Sequence, residues 1–469
     1  MLIRRQRLQP LEGSSSGHPS GRSSSRLAKR MDSTVRARPK IGLLDHLGGG
    51  NLGDDATLDA VMQNIKNRWP DSVIFGFSMN PSDTQARHGI PSYPIRTQTW
   101  SFGDRAGNSS VTVKTRVKAA LTEHRLLTRL LKAFHTVAVR IPKAFCQELV
   151  FLAKSFRIIR SLDILIISGG GQLLDSWGGP WEFPYTLFKW VLLAKLSRVK
   201  CYFINVGAGP LNHPLSRWFV RRALLLANYV SFRDDNSRTL VQEIGFTGTS
   251  HVVADSVYSL DIPASGANRG ARREETIVGF SPMAYCDPRV YWEKNQDVYN
   301  CFIRNLGLFG SWLLRYHHLM LFSTDVCFDS HAIEDLQIAI KNSADIANSR
   351  SLTREPITAL DNMLNQISLM DYVVTCRFHG VVFAHMLNKP VLAISHHPKV
   401  SALMNDLGLA KYCVDIRTCD LSVLTETFGS LVSNKDDIKN RMAEKLACYK
   451  MDLSIQFDAL FPEAPIESA

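Results

Sequence analysis

Two side chains that could bind and activate an anion stand two residues apart in the stretch VVTCRFHGVVFAHMLNKP (373–390). Arg377 offers a guanidinium fork and His379 a titratable imidazole, between an apolar run and Gly380, where a helix should begin. A cationic fork and an imidazole beside a helix N-terminus suit a ligand that carries both carboxylate and phosphate. Both residues could instead be structural, with Arg377 in a salt bridge and His379 as a hydrogen-bonded core imidazole.

Two further cations follow predicted strands. Lys399 lies in ISHHPKV, after the strand that follows the Arg377 segment, and could supply a third positive charge; it could equally be a surface lysine. Arg233, with Asp234, ends the apolar run in YVSFRDDNS. An Arg-Asp pair at such a point is either part of a binding site or a structural ion pair.

Glycine-rich turns follow two other apolar runs. GGGNLGDDA (48–56) comes after IGLL, and SGGGQLLD (168–175) comes after DILII. Glycine lets peptide N–H groups approach a ligand closely, and the start of a helix adds a positive dipole end, so both turns are candidate anion sites. The alternative for each is a tight turn with a helix cap. The glycines assigned to binding are Gly53, Gly169, Gly170 and Gly171.

Two adjacent aspartates close the first turn. One of Asp54 and Asp55 could cap a helix that begins near Ala56. The other would then face the ligand, and we predict that this residue is Asp55.

The elements that position these residues alternate between short apolar runs and helical periods, which predicts βαβ units and parallel sheets. Two Rossmann-like domains around a cleft account for this order, and ligands of open α/β sheets bind at the carboxyl ends of the strands. The predicted divisions are a disordered basic segment (1–38), a first domain (39–262), a linker (263–275), a second domain (276–430) and a C-terminal helix with tail (431–469).

The net charge of +12 is concentrated in two segments. Residues 1–40 hold ten Lys and Arg against Glu12 and Asp32, and residues 111–160 hold eleven against Glu123 and Glu148, so the remainder is net negative. This distribution argues against a nucleic-acid-binding core. The first segment cannot bury a core, and translation starts at either Met1 or Met31.

Residues 111–160 are predicted to form a basic helical insertion in the first domain. Apolar residues recur at helical spacing, with basic residues between them. The insertion could present a solvated basic face, or it could lie on anionic lipid or on a lipid-linked glycan. Nucleic acid is disfavoured because no aromatic-studded basic surface accompanies it.

Taken together, NLGDDA, DILIISGGGQLLD, NVGAGPL, SFRDDNSRTLVQEIG, ADSVYSL and CRFHGVVFAHMLNKPVLAIS followed by HPKV resemble the polysaccharide pyruvyl transferase family. The resemblance implies a GT-B-like fold of two Rossmann-like domains. It also implies transfer of the enolpyruvyl unit of phosphoenolpyruvate to sugar hydroxyls, with phosphate release and a pyruvate ketal as product.

The resemblance assigns donor binding to Arg233, Arg377 and His379, and Phe378 stands where leucine is more usual. The sequence ADS (254–256) replaces the common PDP, so Asp255 is the residue retained. We expect His379 to act as general acid or base and Asp55 to contact the acceptor hydroxyl. No cofactor or metal is expected, and replacing Arg377 or His379 by alanine should abolish turnover with little change in thermal stability.

The expected partners are phosphoenolpyruvate and a glycan acceptor, with or without a lipid anchor. The expected location is the cytoplasm of a bacterium, with peripheral contact at the inner face of the anionic membrane as an option. Two other functions fit the same residues. One is a GT-B glycosyltransferase that uses a nucleotide sugar. The other is a non-catalytic, membrane-associated binding protein.

Overall fold

The computed structural model describes residues 38–45, 49–97, 141–176, 178–262, 275–343 and 349–462. The predicted basic segment up to residue 37, most of the predicted insertion, the core of the predicted linker and the last seven residues lie outside these ranges. From Pro39 onward the chain forms one compact unit, in which two sheets face each other.

The first half is a seven-stranded sheet whose neighbouring strands are all parallel. Its strand order is β3-β2-β1-β4-β5-β6-β7. The strands are β1 (Lys40–Leu44), β2 (Val73–Ser78), β3 (Ser92–Pro94), β4 (Ile164–Ser168), β5 (Lys200–Val206), β6 (Tyr229–Phe232) and β7 (His251–Val252). The central strand β4 is buried along its whole length, which is why its sequence reads as a continuous apolar run.

Helices connect these strands. They are α1 (Leu52–Arg68), α2 (Pro81–His88), α3 (Ile141–Ile159), α4 (Phe183–Leu196), α5 (Pro214–Leu226) and α6 (Asp235–Glu243). Helix α3 coincides with the end of the predicted insertion, directly before β4. Its residue Phe151 packs on Trp190 of α4, with ring centroids 6.3 Å apart.

The second half repeats the pattern with a six-stranded parallel sheet of order β10-β9-β8-β11-β12-β13. The strands are β8 (Ile277–Ser281), β9 (His318–Leu321), β10 (Leu352–Arg354), β11 (Tyr372–Thr375), β12 (Val391–Ser395) and β13 (Cys413–Asp415). The helices are α7 (Gln296–Leu314), α8 (Ser330–Ser343), α9 (Leu360–Leu369), α10 (Phe378–Met386), α11 (Pro398–Asp406), α12 (Leu421–Ser433) and α13 (Lys435–Leu460).

The last helix, α13, returns from the second half to the first. Near its end, Asp458 accepts a hydrogen bond of 2.8 Å from Nε of Arg68, and the carbonyl of Pro462 accepts one of 3.0 Å from the Trp69 indole. Gln456 and Tyr229 are joined in the same region at 3.2 Å. The C-terminal helix therefore ties the two halves together on the side where α1 ends.

The alternation predicted from the sequence is confirmed as two parallel-sheet α/β halves. One boundary is wrong in a way that matters for the site. Helix α1 begins at Leu52 rather than near Ala56, and neither aspartate caps it, because the side chain of Asn51 accepts a hydrogen bond from the Gly53 N–H at 3.0 Å. None of the helices in the described ranges has an apolar stretch of membrane-spanning length.

Candidate active site

The candidate site lies where carboxyl ends of strands from both sheets meet. The first half contributes the turn after β1 and Arg233 after β6, and the second half contributes Arg377 and His379 after β11 and Lys399 after β12. A short antiparallel bridge joins the two edges at Asn51 and Asp325. In this bridge the Leu52 N–H donates to the Thr324 carbonyl at 2.9 Å, so the start of α1 is fixed against the second half.

His379 is held directly against Gly53 of the opposite half. A Cβ atom built on Gly53 would lie 1.9 Å from Nδ1 of His379, so only glycine permits this approach. The imidazole is buried, and its Nε2 has no hydrogen-bond partner within the described part of the chain. A buried polar atom without a partner is rare in a folded protein and indicates a place for a ligand.

The charged groups around His379 shift its pKa in both directions. Burial lowers its pKa most strongly, the carboxylates of Asp255 and Asp54 raise it, and Arg233 and Lys399 lower it. The net shift of the pKa is downward, so the imidazole is neutral near pH 7. A neutral imidazole with an unoccupied nitrogen can accept a proton from an attacking hydroxyl.

The side chain of Arg233, a residue of the first half, extends to Phe378 of the second half. Its guanidinium lies 4.3 Å from the centre of the Phe378 ring. Nη1 donates to Asp255 at 3.2 Å. The buried Nε makes no hydrogen bond within the described residues, but it lies at ion-pair distance, 3.7 Å, from the Asp234 carboxylate. Gly207 provides the space, because a Cβ there would lie 2.7 Å from two of the guanidinium nitrogens. Arg233 therefore has a fixed position and hydrogen-bonding capacity that its protein partners do not use.

Arg377 is bound much more completely. Its Nε and Nη2 donate to the two oxygens of Asp329 at 2.7 and 2.6 Å, and Nη2 lies 3.4 Å from Asp325. Asp329 is fully buried and also accepts a hydrogen bond from the Ala284 N–H. The salt bridge that we gave as the structural alternative for Arg377 is therefore present, and it occupies one edge of the guanidinium.

Lys399 also lies near the Phe378 ring, with Nζ 6.0 Å from the ring centre. Burial and the positive charges of Arg233 and Arg377 lower the pKa of Lys399 to about 8, against the opposing effect of Asp54 and Asp255. Arg233, His379 and Lys399 thus come together around Phe378, a residue that the sequence did not single out for binding.

Asp55 has other neighbours than Arg233, His379 and Lys399. It is 3.2 Å from Nη1 of Arg87 and 3.5 Å from Nε2 of His88, both in α2. Although burial lowers the pKa of His88, contacts with Asp55 and Asp59 raise it to about 9, so the imidazole is a cationic partner. This position does not support the predicted contact of Asp55 with an acceptor hydroxyl. Asp54 is instead the neighbour whose charge acts on His379 and Lys399.

Asp45, at the end of β1, hydrogen-bonds to two residues of the second glycine-rich turn (168–175). The Asp45 carboxylate accepts hydrogen bonds from Ser168 at 3.1 Å and from Gln172 at 3.0 Å. Gly169 and Gly170 have φ values of +45° and +62°, which favour glycine. The Gly169 N–H donates to the Ile204 carbonyl, so this group is already used by the protein. Gly171 follows in the same turn, and a Cβ built on it would meet only Leu174, at 3.9 Å.

Two carboxylates of the second half were missed in the sequence, although a signal was present. In FSTDVCFDS, Asp325 and Asp329 follow the apolar run of β9 and stand four residues apart. Burial raises the pKa of Asp325 to about 7; Arg377 lowers it and Asp329 raises it. Within the described residues, no group of three or more metal-binding side chains has a geometry that could hold an ion.

Comparisons with known proteins identify a related biosynthetic protein, the fold and the family. Amylovoran biosynthesis protein AmsJ of Erwinia amylovora is 22% identical over 299 residues, which cover 61% of this chain and 69% of that protein.

Two solved structures share the fold at 11% identity: UDP-GlcNAc 2-epimerase from Neisseria meningitidis (TM-score 0.52, covering 90% of this chain and 99% of that one) and the N-terminal domain of Candida albicans trehalose-6-phosphate phosphatase (TM-score 0.51, 90% and 98%). The predicted GT-B-like architecture is thereby confirmed. The sequence profile of the polysaccharide pyruvyl transferase family matches residues 51–398, and the chain belongs to that family of transferases.

Proposed function

We propose that the protein transfers the pyruvyl group of phosphoenolpyruvate to hydroxyls of a polysaccharide or lipid-linked glycan, forming a pyruvate ketal and releasing phosphate. One observation carries the proposal. His379, whose Nε2 has no hydrogen-bond partner in the described residues, Arg233, whose Nε makes no hydrogen bond there, and Lys399 all lie near one ring, that of Phe378, at the cleft between the halves.

The reaction needs fixed positive charge and one proton carrier. Phosphoenolpyruvate carries a carboxylate and a phosphate, and we assign these groups to Arg233 and Lys399. Arg377 would contribute through Nη1, which has no hydrogen bond within the described residues. Charge-assisted hydrogen bonds of this kind are shorter and stronger than neutral ones, and they gain strength where water is excluded.

His379, neutral near pH 7 because burial lowers its pKa, takes the proton of the first sugar hydroxyl as that hydroxyl attacks the carbon that bears the phosphate. His379 passes this proton to the methylene carbon, which becomes a methyl group. The carbon–oxygen bond to phosphate then breaks, the second hydroxyl attacks the same carbon to close the ketal, and its proton goes to the released phosphate. Asp54 replaces Asp55 as the candidate that orients the first hydroxyl, since its charge acts on His379.

The test is turnover of phosphoenolpyruvate by His379→Gln, which keeps much of the volume of the imidazole but cannot carry the proton. Phosphate release should fall by about 100-fold or more, which is typical for loss of a general base. His331→Gln is the matched control, because His331 is an exposed residue of α8. Mass spectrometry of the glycan product identifies the ketal.

Unchanged turnover by His379→Gln would remove His379 from the mechanism. The same assay also measures the consumption of nucleotide sugars. Consumption of a nucleotide sugar with no consumption of phosphoenolpyruvate would replace the proposal by the glycosyltransferase alternative.

We also propose that the reaction takes place at the inner face of the membrane when the acceptor is lipid-linked. The sequence places a basic amphipathic pattern in residues 111–160, and the part that carries the apolar repeat lies outside the described residues. Flotation of the full chain with vesicles tests this location independently of turnover.

A further inference from the structure

A continuous cluster of aromatic rings covers the outer side of helices α4 and α5, far in sequence from the His379 motif. The rings of Trp181, Tyr185, Phe188, Trp218 and Phe219 contact one another with centroid distances of 5.2–5.7 Å. We call this the aromatic face. Phe219 lies at its centre and is buried, since both tryptophans pack against it.

The two tryptophans of the aromatic face are exposed to solvent. Trp181 is 62% exposed and Trp218 is 43% exposed. On α5, Trp218, Arg222 and Leu225 follow one another at helical spacing, so they form one stripe, and Leu225 is also exposed. A large exposed aromatic surface on a soluble domain indicates a place where something else binds.

The charged residues of α4 and α5 around the aromatic face are all positive. Helices α4 and α5 contain no acidic residue. Their exposed surface and the turn after α4 carry five basic residues: Lys195, Arg198, Arg217, Arg221 and Arg222. Arg222 lies 5.8 Å from the centre of the Trp218 ring. The two acids nearest the cluster are neutralised, Glu148 by Lys189 at 2.7 Å and Glu182 by Arg96.

The outer helices of the second half do not share this pattern. Helices α7 and α8 mix acids with bases: Asp297, Glu334 and Asp335 stand beside Arg304 and Lys341. The excess of positive charge on the α4–α5 surface is therefore not shared by the α7–α8 surface of the second half.

We propose that the aromatic face rests on an anionic lipid bilayer, with Trp181 and Trp218 at the level of the headgroups and the basic residues facing lipid phosphates. Tryptophan prefers the membrane interface because its ring is apolar and its N–H is polar, and basic residues near the surface add electrostatic attraction.

The position of the face connects this contact to the candidate active site. In a parallel βα unit each helix starts where the preceding strand ends, so the N-termini of α4 and α5 lie at the sheet edge that borders the cleft. Trp181 directly precedes α4, and Trp218 is in the first turns of α5. Contact here would hold the cleft close to the bilayer, and this step rests on the proposal that the acceptor is lipid-linked.

The experiment is co-sedimentation of the full chain with phosphatidylcholine vesicles and with vesicles that also contain phosphatidylglycerol, without phosphoenolpyruvate. We expect binding to the anionic vesicles that weakens with salt. The W181A/W218A variant should partition about tenfold less, and R221Q/R222Q by a similar factor, since each surface charge contributes to attraction.

Two matched variants control for general effects. Trp292→Ala removes a tryptophan of the second half that is 54% exposed, and Arg304→Gln removes an exposed arginine of α7. Both should bind vesicles like the wild type. The basic N-terminal segment is present in every variant, so only differences between variants report on the aromatic face.

Three results would overturn the inference. The first is equal vesicle binding by W181A/W218A, R221Q/R222Q and the controls. The second is wild-type protein that pyruvylates a soluble acceptor but does not bind anionic vesicles, which would leave the proposed activity intact. The third is a change from dimer to monomer in W181A/W218A without a change in vesicle binding, which would identify the face as an interface between two copies.

Discussion

Arg233 and Arg377 both follow parallel strands at the cleft, yet their surroundings differ. Arg233 comes directly after β6, and Arg377 comes two residues after the end of β11. Arg233 has one hydrogen bond to a carboxylate, at 3.2 Å, lies 3.7 Å from the Asp234 carboxylate and lies over the Phe378 ring. Arg377 makes two short hydrogen bonds to Asp329 and lies near a second carboxylate.

The difference teaches that two arginines with similar sequence signals can serve different purposes. A guanidinium already held bidentately by a buried carboxylate has little free charge for a ligand, whereas one with an unpartnered nitrogen retains it. We therefore assign Arg377 mainly to shaping the wall of the site and Arg233 to binding the donor.

The largest expected effect is a loss of stability when Arg377 is replaced, and this effect distinguishes Arg377 from Arg233. Arg377→Ala leaves Asp329 buried and unpaired, which should lower the free energy of unfolding by about 3–5 kcal/mol. This revises the expectation that the substitution would leave thermal stability nearly unchanged. Urea denaturation measures the effect, and Arg377→Met combined with Asp329→Leu should recover much of the loss. Wild-type stability for Arg377→Ala would show that the pair is not the main role of Arg377.

The next effect concerns activity. Arg233→Lys keeps the charge but removes the planar fork, so kcat/KM for phosphoenolpyruvate should fall by about 100-fold. Arg238→Lys is the control, because Arg238 is an exposed residue of α6 paired with Asp235. Steady-state phosphate release measures both. If Arg233→Lys were as active as the control, the assignment of the donor to Arg233 would be lost.

A smaller effect is expected from pH. The pKa of Lys399 is lowered to about 8, so rising pH removes its positive charge and should reduce kcat/KM for the anionic donor, by up to about tenfold per pH unit. Ionisation of Asp325, with a pKa raised to about 7, adds negative charge beside Arg377 and acts in the same direction. Lys399→Arg should lose the inflection near pH 8 and keep only the one near 7. A wild-type profile that is flat across this range would contradict both assignments.

The smallest effect sharpens the role of Phe378. Phenylalanine stands here where leucine is more usual in the family. Because the ring lies under Arg233, Phe378→Leu should remove a cation–π contact of about 0.5–1 kcal/mol and raise KM two- to fivefold, by about that free energy. Phe378→Tyr keeps the ring face and should retain the wild-type KM. An unchanged KM for Phe378→Leu would mean that other contacts alone position Arg233.

Much of the fold was readable in advance, because parallel strands buried on both faces appear as apolar runs between helical periods. The positions of Arg233, His379 and Lys399 after such runs were sufficient to place them at one edge of a sheet. The choice of Asp55 over Asp54 stays a prediction, and it relied on a helix that begins near Ala56. Helix α1 begins at Leu52, so both aspartates lie in its first turn and point in different directions, and Asp55 pairs with Arg87 and His88.

The sequence by itself determined the elements, the order of the chemistry-bearing residues along them and the family, since these follow from short-range periodicity and motifs. Only the tertiary structure decided which charges meet. Asp329 reaches Arg377 across 48 positions of the chain, Gly53 meets His379 from the other half, and both Arg233 and Lys399 approach the Phe378 ring. Local sequence constrains backbone conformation, but the partner of a buried charge depends on packing between segments that are distant in the chain.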